Sequence, residues 1–138
     1  MNLRDRILAF LYKHPEVTAS DVAAGLNEDE DYVIATLNTM IKEKLVTKKV
    51  KGIIFKKEVY TLTPTGFDEA QKVFEKLQNV ANRVKDFLNP YNLQLDQIPE
   101  ELQDLIPLLI SLSLLDMMLL SLLPFGMFVI GGGNNHKT

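Results

Sequence analysis

Between Gly66 and Leu88 the apolar residues Phe67, Ala70, Phe74, Leu77, Ala81, Val84 and Leu88 recur at alternating steps of three and four. That is a heptad stripe, and it specifies a long amphipathic helix rather than a strand. Val73, Val80 and Phe87 widen the stripe. Asp68, Glu69, Lys72, Lys76, Arg83 and Lys85 make the opposite, wetted face. Such a helix cannot bury its stripe alone. Two partners satisfy the pattern: another helix of the same subunit, or the same helix of a second copy. The expectation taken forward is a homodimer joined through those seven residues.

Ahead of this helix the signals are short and varied. Leu3, Ile7, Leu8, Phe10 and Leu11 form a helical stripe over Leu3–Lys13, stopped by His14-Pro15. Thr18 or Ser20 can cap a second helix, about Ser20 to Leu26, that buries Val22, Ala23 and Leu26. A third helix, about Asp29 to Lys44, turns Val33, Ile34, Leu37, Met40, Ile41 and Leu45 inward. Glu28 to Asp31 at its start complement the helix dipole. Val46–Val50 then reads as a strand, Lys51-Gly52 as a turn, and residues 53–62 as the return strand of a hairpin. Thr63-Pro64-Thr65 caps the heptad helix.

Three short helices, a hairpin and a further helix make the winged helix-turn-helix plan. Leu45-Val46 after the third helix and Tyr60-Thr61-Leu62-Thr63-Pro64-Thr65-Gly66 after the hairpin resemble the matching segments of MarR- and PadR-like winged-helix regulators. The resemblance spans about residues 3–88. It implies a homodimeric DNA-binding protein whose third helix enters the major groove and whose hairpin, the wing, lies on the backbone.

The chain's net charge of −3 argues neither for nor against nucleic acid, but its distribution is informative. Residues 1–66 carry a net +1 and residues 67–138 a net −4. Lys48, Lys49, Lys51, Lys56 and Lys57 are five lysines in ten residues with no acid among them. On a hairpin they form a positive ridge suited to phosphates, of DNA first and of a structured RNA second. The competing explanation is an edge hairpin that keeps lysines to block strand pairing. On the third helix Tyr32, Thr36 and Thr39 are placed nearest the bases. Glu28, Asp29, Glu30 and Asp31 depart from the basic or neutral residues usual there, and carboxylates beside phosphates repel.

Behind the heptad, Asn89-Pro90 breaks the helix, and 89–99 reads as a linker. Pro99 suits the start of a new helix with Glu100, Glu101 and Asp104 in its first turns. Leu105–Leu123 is apolar nearly all round, which places it in an assembly or in lipid. Asp116 near its middle would cost roughly 2.5–3.5 kcal/mol in a bilayer. Burial in an assembly is therefore preferred, with Ser113 or a group across the interface as a partner for Asp116. Met117, Met118 and Met127 read as core filling. Residues 131–138 read as a loose tail.

No site for chemistry emerges. There is no cysteine, His14 and His136 stand apart without ligands at metal spacing, and Gly131–Gly133 lacks the strand–loop–helix setting of a phosphate loop. No enzyme activity and no cofactor are expected. No secretory signal is recognised, since Arg4, Asp5 and Arg6 interrupt any early apolar run.

The fold expected is mainly α with a small β-hairpin: a winged helix-turn-helix domain over 1–65, the dimerisation helix 66–88, the linker 89–99, an apolar helical segment 100–130 and the tail. The function expected is a cytoplasmic homodimeric regulator binding duplex DNA. The alternatives are an interaction module docking on a protein or ribonucleoprotein complex such as the ribosome, and a membrane-anchored regulator with 105–130 in lipid.

Overall fold

The computed structural model describes residues 1–88 and 95–116. Helix α1 spans Leu3–Lys13, α2 Ala19–Leu26 and α3 Glu30–Lys42. Strands β1, Val46–Lys51, and β2, Lys57–Leu62, pair antiparallel, and α4 follows over Pro64–Asp86. Each start is set by local chemistry. The Asn2 side chain accepts the Asp5 N–H at the head of α1. Thr18 and Asp21 form a reciprocal capping box on α2, and Asp29 accepts the Tyr32 N–H on α3. Helix α3 stops two residues before its expected end. Lys44 takes a left-handed conformation, φ 63°, and its N–H and that of Leu45 donate to the carbonyls of Ile41 and Met40. A side chain at such a position is strained where glycine is not. Lys44→Gly is expected to raise stability by about 1 kcal/mol, seen as a higher urea midpoint.

The described residues group into two compact units, one over residues 1–75 and one beginning at Lys76. In the first, Ile7, Leu8 and Leu11 of α1, Val22 of α2 and Val33, Leu37 and Met40 of α3 form a sealed core. Val46, Val59 and Tyr60 tie the base of the hairpin to it. Tyr60 also exchanges backbone hydrogen bonds with Val17, at 2.7 and 3.3 Å, so β2 is paired on both edges. Burial raises the Tyr60 hydroxyl above its ordinary pKa, and Lys48 partly offsets that. Three consecutive helices, then a two-stranded hairpin, then a long helix: the fold is a winged helix-turn-helix.

The joint after the wing explains the Leu45-Val46 and Thr63–Gly66 segments. The Thr63 hydroxyl donates to the Lys44 carbonyl at 2.7 Å and accepts the Gly66 N–H at 2.9 Å. The Thr63 N–H donates to the Leu45 carbonyl at 3.0 Å. Gly66 lies against the backbone of Leu45, in space a Cβ would fill.

The heptad stripe is occupied within the single chain. Ala70, Phe74, Leu77, Ala81 and Val84, five of its seven residues, are buried, Leu88 is half-buried, and only Phe67 is exposed, at 47%. In the first unit Tyr12 of α1 packs its ring 5.0 Å from that of Phe67 and 4.9 Å from that of Phe74. The second unit buries Leu77, Ala81, Val84, Ile98, Leu102, Ile106, Leu109 and Leu112.

The expected continuous apolar helix is not formed over its described part. A 3-10 turn at Leu95–Gln97 precedes two short helices, α5, Glu100–Gln103, and α6, Ile106–Ser111. Pro107 sits in the first turn of α6, where its missing N–H costs nothing, but it could not sit inside a helix running on from α5. Leu112 caps α6, and Ser113 turns to φ 62°. Asp116 therefore lies beyond the helix rather than in its middle, and it is exposed. No helix of the described residues is long and apolar enough to cross a membrane. The first part of the expected linker, Met117, Met118, Met127, His136 and the tail lie outside the described residues.

Candidate nucleic-acid interface

The wing projects from a buried base to an exposed end. Every residue from Thr47 to Glu58 is exposed. The register pairs Lys49 with Val59 and Lys51 with Lys57. Side chains alternate between faces, so Lys49, Lys51 and Lys57 share one face, and Lys48 lies on the other with Val50, Glu58 and Tyr60. Lys51 opposite Lys57 is a like-charge cross-strand pair, which weakens a hairpin unless an anion meets it.

Carboxylates reach three of the five lysines. Glu16, from the loop between α1 and α2, lies 2.7 Å from the Lys51 ammonium and 3.6 Å from that of Lys49. Glu58 lies 3.7 Å from Lys48. Lys56 and Lys57 have no ion-pair partner among the described residues. The ridge is thus present but partly neutralised, chiefly by Glu16. The hydrogen bond from Lys51, with the charges of Lys51 and Lys49, holds the Glu16 carboxyl below its ordinary pKa against a smaller opposing effect of burial. A depressed folded-state pKa means the clamp is closed above the ordinary carboxylate range. It opens only as pH falls through the lowered value. At neutral pH it competes with phosphates for both lysines. Glu16→Gln is expected to tighten duplex binding on the order of fivefold at low salt, measured by fluorescence anisotropy.

On α3 the expected contact residues lie together. Tyr32, Ala35, Thr36 and Thr39 line a shallow depression of about 360 Å³ with Met40 and Arg4. Tyr32 is exposed. Thr36 and Thr39 donate their hydroxyls to the carbonyls of Tyr32 and Ala35, at 2.9 and 3.2 Å. Their oxygens are left to accept, so they suit a base amino group better than a phosphate. The four acids at the start of α3 separate in role. Glu28 pairs with Arg6 at 2.7 Å and Asp29 is the cap, leaving Glu30 and Asp31 exposed in the first turn. Arg4 and Glu16 were not singled out from sequence. Both arrive from other elements through the fold, and nothing local marks them. Arg4 is itself held by Glu43 at 3.1 Å and Asp5 at 3.3 Å.

Two further expectations change. The return strand begins at Lys57, so residues 53–56 belong to the turn and not to the strand. Gly52 adopts φ 98°, and a Cβ there would overlap the Phe55 carbonyl, so glycine permits the tight closure. His14, which sequence alone reads as solvated in a turn, is half-buried, with its ring 4.5 Å from that of Phe10.

No protein-family model matches the chain. A search of curated proteins also found no match. Among solved structures, the chain is similar to the adhesin competence repressor AdcR from Streptococcus pyogenes, at 15% identity and a TM-score of 0.49. That likeness covers 82% of this chain and 79% of the other.

Proposed function

We propose that this chain is a winged-helix protein that binds duplex DNA through its wing and serves as a transcriptional regulator, acting as a homodimer in the cytoplasm. One observation carries the reading. Five lysines stand exposed on the hairpin, including an opposed Lys51–Lys57 pair that a polyanion would relieve. Lys56 and Lys57 are the first phosphate contacts, and Lys48, Lys49 and Lys51 join them when phosphate displaces Glu58 and Glu16. Tyr32, Thr36 and Thr39 supply base-edge contacts from α3. The test is anisotropy of a labelled duplex with the full chain. Lys56→Ala/Lys57→Ala should weaken every duplex alike, whereas Tyr32→Ala should narrow the difference between sequences. Equal affinity of both variants and the unaltered chain would remove the proposal.

The homodimer draws its support from exposed Phe67 and half-buried Leu88. Ala70, Phe74, Leu77, Ala81 and Val84 give it none, because the chain covers them itself. Light scattering without detergent should report twice the chain mass of 15.6 kDa. A single-chain mass would end the dimer and leave one wing per molecule on the duplex.

A second reading, an interaction module docking on a protein or ribonucleoprotein complex, is favoured by exposed Glu30 and Asp31 on the helix that would face DNA. Failure to bind any duplex, combined with cosedimentation with ribosomal particles, would select it.

A further inference from the structure

The three most exposed large apolar side chains among the described residues are consecutive. Ile53 is 91% exposed, Ile54 83% and Phe55 88%. They occupy the turn at the end of the wing, where the conformation of Gly52 closes the chain tightly. Val50, three residues earlier on β1, is exposed as well. Isolated exposed apolar residues are ordinary, but three together on a projecting tip are not. Nothing in the duplex reading requires them.

Their surroundings indicate what they meet. Lys51 precedes Gly52, Lys56 follows Phe55, and Lys57 stands opposite Lys51 in the ladder. The three lysines therefore stand one or two residues from the apolar tip. An apolar face that docks on a bilayer sits about 5–10 Å into the headgroup/acyl boundary, so charges flanking it this closely meet the headgroups. No acid interrupts residues 48–57. The geometry points to a peripheral membrane-docking loop: Ile53, Ile54 and Phe55 enter the acyl boundary of an anionic bilayer while Lys51, Lys56 and Lys57 meet its headgroups.

A duplex is the poorer occupant for the tip. An apolar wedge in DNA enters between two stacked bases and costs the unstacking of that step. Three consecutive side chains, each more than four-fifths exposed, need a medium that takes all of them at once. Fluid acyl chains do so, and the lysine collar selects anionic over neutral lipid. The inference goes beyond the duplex reading and does not depend on it. Where both hold, lipid and DNA compete for the same lysines, and a bilayer would withdraw the protein from DNA.

The chain contains no tryptophan, so Phe55→Trp in the full-length protein is a single reporter at the tip. With vesicles of phosphatidylserine and phosphatidylcholine its emission should shift to the blue and be quenched by brominated acyl chains. Affinity for phosphatidylcholine alone should be about tenfold weaker or more. Ile53→Ser/Ile54→Ser/Phe55→Ser should lower sedimentation with anionic vesicles by roughly tenfold or more. Its duplex affinity should stay within about twofold of the unaltered chain. A reporter that does not shift with any vesicle overturns the inference. So does vesicle binding that the serine variant leaves unchanged, because attachment would then lie elsewhere in the chain. Loss of duplex affinity in the serine variant, with vesicle binding intact, would assign the tip to DNA and also overturn it. None of these outcomes touches the lysine–duplex proposal, which is read from its own variants by anisotropy.

Discussion

Changing Lys48, Lys49, Lys51, Lys56 and Lys57 together to glutamate is expected to abolish binding of duplex DNA at low salt. Each lysine that meets a phosphate releases a condensed counterion, and each glutamate in its place repels the same phosphate. With Glu16 and Glu58 beside them, the five reversals would turn the whole wing acidic. The loss should exceed about a hundredfold. All five side chains are exposed, so the fold should survive, and an unchanged circular dichroism spectrum checks that. The outcome also separates recognition from edge protection. Lysines kept only to prevent strand pairing would, when replaced by glutamate, still prevent it, and no polyanion binding would have existed to lose.

Gly66→Ala is expected to destabilise the winged-helix unit by about 3 kcal/mol or more, lowering its melting temperature by roughly 10 °C or more. The added methyl would overlap the carbonyl oxygen of Leu45 and come within 2.8 Å of its carbonyl carbon and 3.1 Å of its Cα. These are backbone atoms, so no rotamer change relieves them. Leu45 cannot withdraw easily either, because its carbonyl accepts the Thr63 N–H and its own N–H donates to Met40. The conformation at Gly66 is ordinary helix, so the requirement is for closeness and not for backbone freedom. Thr63→Val should cost less, about 1 kcal/mol, since it removes two hydrogen bonds without forcing atoms together. A thermal melt of each variant distinguishes the two.

Helix α1 was legible to its last residue because its stripe is uninterrupted and His14-Pro15 closes it. The second and third helices, the hairpin and α4 were legible too, from periodicity and capping residues acting within a few positions. Ile53-Ile54-Phe55 has strand composition, which is why sequence alone extends the return strand into the tip of the wing. Only Gly52, by closing the turn there, puts those residues outside the ladder. The hydropathy of the run after Leu105 points to one helix because it outweighs Pro107 and three serines. The proline starts α6 anew, and a left-handed Ser113 follows its end.

The heptad shows a different limit. Its period fixes a helix and a stripe, but the same pattern serves a partner from the same chain or from another copy. In the structure the chain supplies most of the cover itself, leaving Phe67 about half-exposed beside Tyr12. Within the candidate site, the lysines and the α3 contact residues were visible as a charge run and a helix face. Glu16 was not. It is separated from Lys51 by 35 positions, and the Val17–Tyr60 pairing brings its loop to the wing. Long-range ion pairs of this kind have no local signature, which is why the run of lysines looked less neutralised than it is.

The most direct test is the salt dependence of duplex affinity for the full, unaltered chain. If the wing lysines hold phosphates, the logarithm of the association constant should fall linearly with the logarithm of salt concentration. The slope should approach about −4.5 for one wing, a loss of roughly 10²–10³-fold between 50 and 200 mM, and about −9, roughly 10⁵-fold, for a homodimer that places both wings on the duplex. A slope near zero, or no duplex binding at the lowest salt, would contradict the account.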